Sequence, residues 1–173
     1  MAVNNGMPYL KEAVESILVQ TYKNFEFIII DDDSKDATWQ YLKSVNDKRI
    51  KAFKNKKRSG LAKSLNRALS LASGIFIARM DADDISLPER LETQVRYLEN
   101  NEVDLCGTWA KLIDENGNVL AKVHKPVSDY QIKKAMAWIT PLIHPTWFAK
   151  GKLFLKLKGY NERWEMVEDH EFL

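Results

Sequence analysis

The feature that most constrains the fold of this chain is a short apolar segment that ends in acidic residues. Gly74 precedes residues 75–80, which are mostly apolar and partly β-branched, and Asp81, Asp83 and Asp84 follow them. The length of this segment and the residues that bound it predict a buried strand. In open α/β sheets, ligands bind at the carboxyl ends of the strands, so acidic side chains at this position indicate a binding site.

The spacing of these acids favours a divalent cation. Side chains alternate along an extended segment, so Asp81 and Asp83 are expected to point to the same side. Two carboxylates suit a hard cation that keeps part of its water shell and shares the phosphate groups of a substrate. The alternative interpretation is an acidic loop that caps a helix beginning near Leu87 and Pro88.

A second predicted strand ends in the same way. Residues 25–30 form the most strand-like run in the chain, and Asp31, Asp32 and Asp33 follow it. A single acidic strand end is easily explained as a helix cap. Two such ends strengthen the prediction of a site at one edge of a sheet.

The pattern of residues 1–100 predicts an α/β fold. Apolar residues at helical spacing follow Pro8, Gly60 and Pro88, and a short strand is expected at residues 50–53. Alternating strands and helices predict a mostly parallel sheet with helices on both faces.

The later part of the chain is expected to add a hairpin and a further helix. Predicted strands at residues 104–113 and 119–123 flank residues 114–118, whose Asn-Gly pair is typical of a hairpin turn. Ser128 is a candidate N-cap for an amphipathic helix that continues to Ile139.

A basic loop precedes one of the predicted helices. Residues 54–58 are mostly basic, and Gly60 ends the loop at a helix N-terminus, which is a favourable position for phosphate oxygens. Lys63 and Arg67 lie four residues apart on that helix, and either could reach inward. For most of these cations the alternative is an ordinary solvated surface.

The composition and net charge of the chain exclude several classes of protein. The chain has 173 residues, of which 45% are hydrophobic, and this suits one globular domain. A net charge of +2 indicates neither nucleic-acid binding nor an acidic tail. Cys106 is the single cysteine, which excludes an intrachain disulfide and fits a reducing compartment. The sequence contains no apolar run of transmembrane length and no signal peptide, so we expect a cytoplasmic protein.

The ordered motifs of the chain resemble the catalytic domain of family-two glycosyltransferases, which have the GT-A fold. The motifs occupy residues 5–10, 15–22, 28–34, 60–66, 78–84, 88–91, 144–146 and 168–169. The resemblance implies transfer of a sugar from a nucleoside-diphosphate donor, with uridine favoured, to an acceptor hydroxyl with inversion. It also implies Mg²⁺ or Mn²⁺ as cofactor and a role in bacterial polysaccharide or glycolipid synthesis.

The same resemblance assigns roles to individual residues. Asp83 is the expected metal ligand, and Asp81 is expected to hold the ribose or a metal-bound water. Asp32 is placed near an N–H of the nucleobase, with Asp31 in support. Asp169 is the expected general base, and His144 is the runner-up. The remaining substrate-binding candidates are Val3, Asn4, Gly60, Lys63, Arg67, Arg79 and Ala82.

The resemblance also divides the chain and shows departures from the family pattern. Residues 1–100 are expected to bind the donor and residues 101–173 to form the acceptor side, and the domain is expected to be truncated at both ends. The family often has an aromatic residue where Asn4 stands, and a glycine where Asp33 stands. Glu171 replaces a more usual aspartate.

The acceptor is expected to be a carbohydrate or a lipid-linked molecule, so peripheral contact with the inner face of a membrane is a hypothesis. The lysines that would serve it are Lys150, Lys152, Lys156 and Lys158. A solvated lysine surface is the alternative.

Two further functions remain open at this stage. A metal-dependent nucleotidyltransferase or phosphotransferase would use a similar acidic strand end, although residues 4–6 offer only one glycine for a phosphate loop. A non-catalytic nucleotide-sugar-binding domain would bind the donor without turnover, and the fold alone does not distinguish it.

Overall fold

The computed structural model describes residues 1–163, 169 and 172. Strands and helices alternate along the first part of the chain, which confirms the predicted α/β pattern. The strands are β1 (Ala2–Val3), β2 (Phe27–Asp31), β3 (Ile50–Lys54) and β4 (Phe76–Ala78). The helices are α1 (Leu10–Leu18), α2 (Thr38–Ser44), α3 (Leu61–Leu71) and α4 (Arg90–Asn100).

The later part of the chain contains the predicted hairpin and helix. Its elements are β5 (Leu105–Cys106), β6 (Ala110–Ile113), β7 (Val119–Val123), α5 (Asp129–Ala135), a 3-10 turn (His144–Thr146), β8 (Phe148–Lys150) and α6 (Gly151–Leu157). Strands β6 and β7 pair antiparallel around the Asn-Gly turn. The side chain of Ser128 accepts a hydrogen bond of 3.3 Å from the Gln131 amide, so the predicted N-cap is confirmed.

The strands form two three-stranded sheets and the separate hairpin. Strands β1, β2 and β3 are parallel, and β2 is buried along its whole length. In the other sheet, β8 runs antiparallel between β4 and β5. The prediction of a single strand at residues 104–113 is wrong. This segment forms two strands, because β5 pairs with β8 whereas β6 pairs with β7. The division at residue 100 stays a prediction.

Helices cover these sheets with the apolar faces that their spacing predicts. In α1 the residues Leu10, Ala13, Val14 and Ile17 are buried in one cluster with Ile29 of β2. In α3, Ala62 and Leu65 belong to a second cluster with Trp147 and Ala149. Burial of such faces supplies most of the stability of short helices.

Strand β4 is shorter and more exposed than predicted. Only Phe76–Ala78 pair as a strand, and Ile75 is 81% exposed. A cavity of about 630 Å³ beside it is lined by apolar residues of β2, α3 and β4 and by charged residues that include Arg79 and Arg90. Burial returns beyond the strand, because Arg79 and Met80 are both buried. The chain therefore delivers Asp81 and Asp83 directly after a fixed segment.

Within the described residues, no helix combines the length and the apolar character that crossing a membrane requires.

Candidate functional site

The carboxyl ends of β1 and β2 bring four predicted site residues together. Val3 lies opposite Asp31 in the parallel pair, and the Asp32 amide donates a hydrogen bond of 2.7 Å to the Val3 carbonyl. Nδ2 of Asn4 donates a hydrogen bond of 2.7 Å to the Asp32 carbonyl. The backbone at this edge of the sheet is therefore fixed on both strands.

Asp32 is only 5% exposed, and its carboxylate binds the loop that precedes α3. Oδ1 accepts hydrogen bonds from Nδ2 of Asn55 (2.6 Å) and from the Ser59 amide (2.8 Å). Oδ2 accepts one of 2.9 Å from the Gly60 amide. A carboxylate has about four acceptor positions, so one remains on Asp32 for a further donor.

Gly60 is required at this position because its φ is 89°. Residues that carry a side chain rarely adopt that backbone conformation, whereas glycine does so freely. Its backbone amide donates to Asp32, and Gly60 is the N-cap residue of α3. Gly60 therefore contributes to the site through its main chain.

Asn55 is a buried residue of the site that the sequence did not reveal. Besides Asp32, it donates a hydrogen bond of 3.0 Å to Oγ of Ser64 and accepts one of 2.5 Å from Nη1 of Arg67. Arg67 thus reaches inward, whereas Lys63 is exposed. The only sequence signal for Asn55 is its place directly after a short strand.

Asp31 is fully buried and supports the turn after β2. Its Oδ1 accepts a hydrogen bond of 3.0 Å from the Ser34 amide, and its Oδ2 lies 3.6 Å from Nζ of Lys54. Nζ of Lys54 also donates to the Ser34 carbonyl at 3.2 Å. Asp31 therefore holds the backbone directly after β2, and its role in donor binding stays a prediction.

Arg79 and Asp81 form an ion pair at the end of β4. The Arg79 side chain is 5% exposed, and its Nη1 pairs with Oδ1 of the half-buried Asp81. Ala82 packs against the core, whereas Asp83 is exposed. The pKa of Asp84 is raised. The main cause is that surrounding protein atoms displace water from its carboxyl group, and the negative charges of Asp81 and Asp83 add to the effect.

The acids after β4 fit a metal ion that a ligand shares. Among the described residues, no group of three or more His, Cys, Asp or Glu side chains could enclose a cation. Because Asp83 is exposed and Asp81 is half-buried, a cation held there would complete its coordination with water and phosphate oxygens. This is the environment that Mg²⁺ and Mn²⁺ take beside nucleotides.

Arg90 connects the end of β4 to the 3-10 turn. Its Nη2 donates hydrogen bonds to the carbonyls of Arg79 (2.6 Å) and Pro145 (3.0 Å), and its Nε donates to Oε1 of Gln94 (3.0 Å). Nε2 of Gln94 in turn donates to the Thr146 carbonyl at 2.8 Å. Burial lowers the pKa of Arg90 to about 10, so the guanidinium stays charged at neutral pH.

His144 is buried in an aromatic cluster behind this turn. Its Nε2 lies 3.0 Å from Oη of Tyr160, and its ring packs against Trp147. Burial, followed by the charge of Arg79, lowers the pKa of His144 to about 3. The imidazole is therefore neutral at pH 7 and a weak base there.

The candidate general base, Asp169, lies three residues before Phe172, which belongs to the same aromatic cluster as His144. Phe172 is buried, with its ring centroid 4.9 Å from Phe154 and 5.2 Å from Tyr160. Asp169 and Phe172 both have helical backbone, and Asp169 is half-buried. Glu168 and Glu171 lie outside the described residues. The roles of these acids stay predictions.

Known proteins resemble this chain over nearly its whole length. An uncharacterized glycosyltransferase of Methanocaldococcus jannaschii is 41% identical over 98% of this chain and 60% of that protein. The putative glycosyltransferase EpsE of Bacillus subtilis is 41% identical over 98% of this chain and 62% of its own length. The Escherichia coli O-antigen biosynthesis glycosyltransferase WbnJ is 36% identical over 92% of this chain and 63% of its own.

Solved structures share the fold. S. aureus TarS (residues 1–349) superposes with a TM-score of 0.79 at 23% identity, over 99% of this chain and 52% of that one. The mannosyltransferase PcManGT of Pyrobaculum calidifontis, in complex with GDP-Man and Mn²⁺, has a TM-score of 0.72 at 20% identity, over 99% and 48%. These likenesses confirm the predicted GT-A fold.

The relatives are longer than this chain, and a family profile matches most of it. The chain spans about 60% of the length of the first two relatives. The sequence profile described as "Glycosyl transferase family 2" matches residues 1–155, which is most of the chain. By this match and by its similarity to named glycosyltransferases, the chain belongs to glycosyl transferase family 2.

Proposed function

We propose that this chain is the donor-binding and catalytic part of an inverting, metal-dependent glycosyltransferase that uses a nucleoside-diphosphate sugar, with UDP favoured. The observation that carries the proposal is the placement of carboxylates at the ends of β2 and β4. The carboxylate of Asp32 accepts three hydrogen bonds and has the capacity for one more, and Asp83 is exposed beside Asp81. In a member of this family, the first suits a nucleobase and the second a metal-bound diphosphate.

The nucleobase is expected to bind at the edge of the first sheet. The open acceptor position of Asp32 suits an N–H group, and a carboxylate binds such a donor strongly. Uracil offers an N–H of this kind. S. aureus TarS has been solved with UDP and with UDP-GlcNAc, and this supports a nucleotide-sugar donor.

The metal is expected at Asp83, with Asp81 beside it. A bound Mg²⁺ or Mn²⁺ supplies Lewis-acid stabilisation of the charge that develops on the departing diphosphate. Asp83 would hold the ion through its exposed carboxylate, and Asp81 would orient the ribose or a water molecule. The complex of PcManGT with Mn²⁺ supports this choice of cofactor.

Asp169 is proposed to remove the proton of the acceptor hydroxyl. An inverting displacement needs one general base, and a positioned base accelerates such a step by ~10²–10⁴-fold. His144 is a poorer candidate because its pKa is lowered to about 3. We assign His144 to positioning of the acceptor side through Tyr160.

The acceptor is proposed to be a growing polysaccharide or a glycolipid. The similarity to the E. coli O-antigen biosynthesis glycosyltransferase supports this setting. Peripheral membrane contact stays a prediction. Asp104 lies 3.0 Å from Nζ of Lys150 and 3.9 Å from Nζ of Lys152, so these two lysines are partly neutralised. Sedimentation with anionic vesicles, comparing the chain with its K156E/K158E variant, tests the contribution of the outer two lysines.

A thermal-shift panel tests the proposed donor class. Ligands that bind only the folded state raise its stability, by about 2.7 kcal/mol at 100 times Kd. We expect UDP-sugars with Mn²⁺ to raise the melting temperature, and the same sugars without metal to do so less. Stabilisation by nucleoside triphosphates but by no nucleotide sugar would instead favour the nucleotidyltransferase. Donor binding without transfer to cognate acceptors in the full-length enzyme would indicate a non-catalytic domain.

A further inference from the structure

The Arg79 side chain places a buried positive charge directly against one of the proposed metal-site acids. Its Nη1 pairs with Oδ1 of Asp81, and the guanidinium is 5% exposed. In the part of the chain that the structure describes, neither Nε nor Nη1 of Arg79 has a hydrogen-bond partner, so the contact of Nη1 with Asp81 is an ion pair only. The side chain is therefore held mainly by charge rather than by a set of hydrogen bonds.

Its backbone, by contrast, is firmly placed. The Arg79 amide donates a hydrogen bond of 2.8 Å to the Trp147 carbonyl, and its own carbonyl accepts one of 2.6 Å from Arg90. These main-chain bonds do not depend on the identity of the side chain. A substitution at position 79 can therefore remove the charge and leave the local backbone anchored.

The other charged groups near this ion pair leave Arg79 as the main cation facing Asp81. Burial, followed by the charge of Arg79, lowers the pKa of His144 to about 3, so its imidazole is neutral at pH 7. Arg90 stays charged, but its guanidinium is bound by Gln94, Ser86 and two carbonyls.

We propose that Arg79 is an internal counter-ion that occupies Asp81 in the donor-free protein and thereby makes metal binding depend on the donor. This inference rests on the proposed function of the acids after β4. A divalent cation that uses Asp81 must compete with the guanidinium, because Nη1 of Arg79 already pairs with Oδ1 of that carboxylate. Asp83 alone then binds the ion weakly.

Binding of the donor removes this obstacle to metal binding. A nucleoside diphosphate adds negative charge to the site, so the guanidinium and the metal can both be compensated at once. The affinity for metal therefore rises when the diphosphate is bound, and by linkage the affinity for the diphosphate rises equally when metal is bound. Arg79 is thus a positioning residue that couples the two ligands and keeps the empty site free of metal.

Titration of Mn²⁺ without nucleotide, followed by electron paramagnetic resonance of the free ion, tests this coupling. We expect Arg79→Met to bind Mn²⁺ on the order of tenfold more tightly than the unchanged chain, because one buried cation is removed. Arg79→Lys keeps the charge and is expected to resemble the unchanged chain. The matched control is Arg96→Met, which also removes one guanidinium but from an exposed pair with Glu92.

A double-mutant cycle identifies the partner. In the background of Asp81→Asn, we expect Arg79→Met to change Mn²⁺ affinity much less, because the paired carboxylate is gone. With saturating UDP, we expect the difference between Arg79→Met and the unchanged chain to shrink. If circular dichroism shows that Arg79→Met does not fold, the Arg79→Gln variant, which removes the same charge, is used in its place.

The outcomes separate this inference from the proposed function. Unchanged or weaker Mn²⁺ binding in the charge-removing variants would overturn the counter-ion role, even if UDP-sugars bind. Tighter Mn²⁺ binding in Arg79→Met, but not in Arg96→Met, would support the role. It would do so even if no nucleotide sugar bound any variant, in which case only the proposed function would fail.

Discussion

Nδ2 of Asn55 donates a hydrogen bond of 2.6 Å to Oδ1 of Asp32, across 23 positions of sequence. This bond joins the end of β3 to the end of β2. Because Oδ1 of Asn55 also binds Arg67, one amide side chain sets the positions of both a carboxylate and a guanidinium. The nucleobase edge of the proposed site is therefore preorganised before any ligand binds.

The first prediction concerns this amide. We expect Asn55→Ala to lower the free energy of unfolding by ~1–3 kcal/mol, because it leaves buried polar partners unsatisfied. We also expect it to weaken UDP binding, since Asp32 and Arg67 lose their common partner. Chemical denaturation and calorimetry check the two effects. Asn100→Ala, on the exposed end of α4, is the control. Unchanged UDP affinity in a less stable Asn55→Ala protein would limit Asn55 to a structural role.

The second prediction concerns Arg90. We expect Arg90→Lys to lower the free energy of unfolding by ~2–3 kcal/mol, although the charge is kept. An ammonium group is a compact point charge and does not reproduce the planar set of bonds to Arg79, Pro145, Ser86 and Gln94. Urea denaturation measures the change. Arg96→Lys on the exposed face should lie within ~0.5 kcal/mol of the unchanged chain, and an equally small effect at Arg90 would contradict the prediction.

The third prediction concerns pH. His144 has a folded-state pKa of about 3 against an ordinary value of 6.5, with burial as the main cause and Arg79 as the second. Between these values the unfolded chain binds a proton that the folded chain excludes. The free energy of unfolding therefore falls as pH is lowered from 6.5 toward 3, by ~1.4 kcal/mol per pH unit for this one group.

Comparison with His144→Gln isolates that contribution. The variant has no proton to bind at this position, so its stability should decline less steeply below pH 6.5. Urea denaturation at a series of pH values measures both slopes, with His124→Gln as an exposed control. Parallel pH profiles for the unchanged chain and His144→Gln would show that His144 does not carry the effect.

The fourth prediction concerns the aromatic anchor near Asp169. We expect Phe172→Ala to destabilise the protein by ~3 kcal/mol, as for other buried aromatic residues. In the full-length enzyme we expect turnover to fall while donor affinity is kept, because Phe172 belongs to residues 101–173, which we expect to form the acceptor side. The measurement is turnover at saturating donor and acceptor, with donor affinity determined separately. Trp138→Ala, at a position 85% exposed, is the control. Equal losses of turnover in both variants would reject a specific role for the anchor.

Local rules predicted much of the fold. The apolar spacing of α1, the Ser128 cap and the Asn-Gly hairpin each depend on residues within a few positions of one another, and all three are present. Strand β8 was not predicted, because three residues between a turn and a helix carry no period of their own. Its existence depends on pairing with β4 and β5, which are distant in sequence.

The candidate site divides in the same way. The aspartates after β2 and β4 could be predicted because a strand and its carboxyl end are local features. Asn55 and Arg90 could not be given their contacts, since the partners of Asn55 lie up to 23 positions away and those of Arg90 up to 55. The ion pair of Arg79 with Asp81 is close in sequence, but its burial depends on the whole fold.

Asp83, in the turn after β4, is proposed to bind a metal together with a nucleotide sugar, which is the central claim. Calorimetric titration of UDP-sugars, with and without Mn²⁺, tests it most directly in the unchanged chain and in Asp83→Asn. We expect Mn²⁺ to strengthen binding to the unchanged chain, and this gain to be lost in Asp83→Asn but kept in Glu102→Gln, an exposed acid in another part of the chain. An equal Mn²⁺-dependent gain in Asp83→Asn, for every donor that binds the unchanged chain, would contradict the claim.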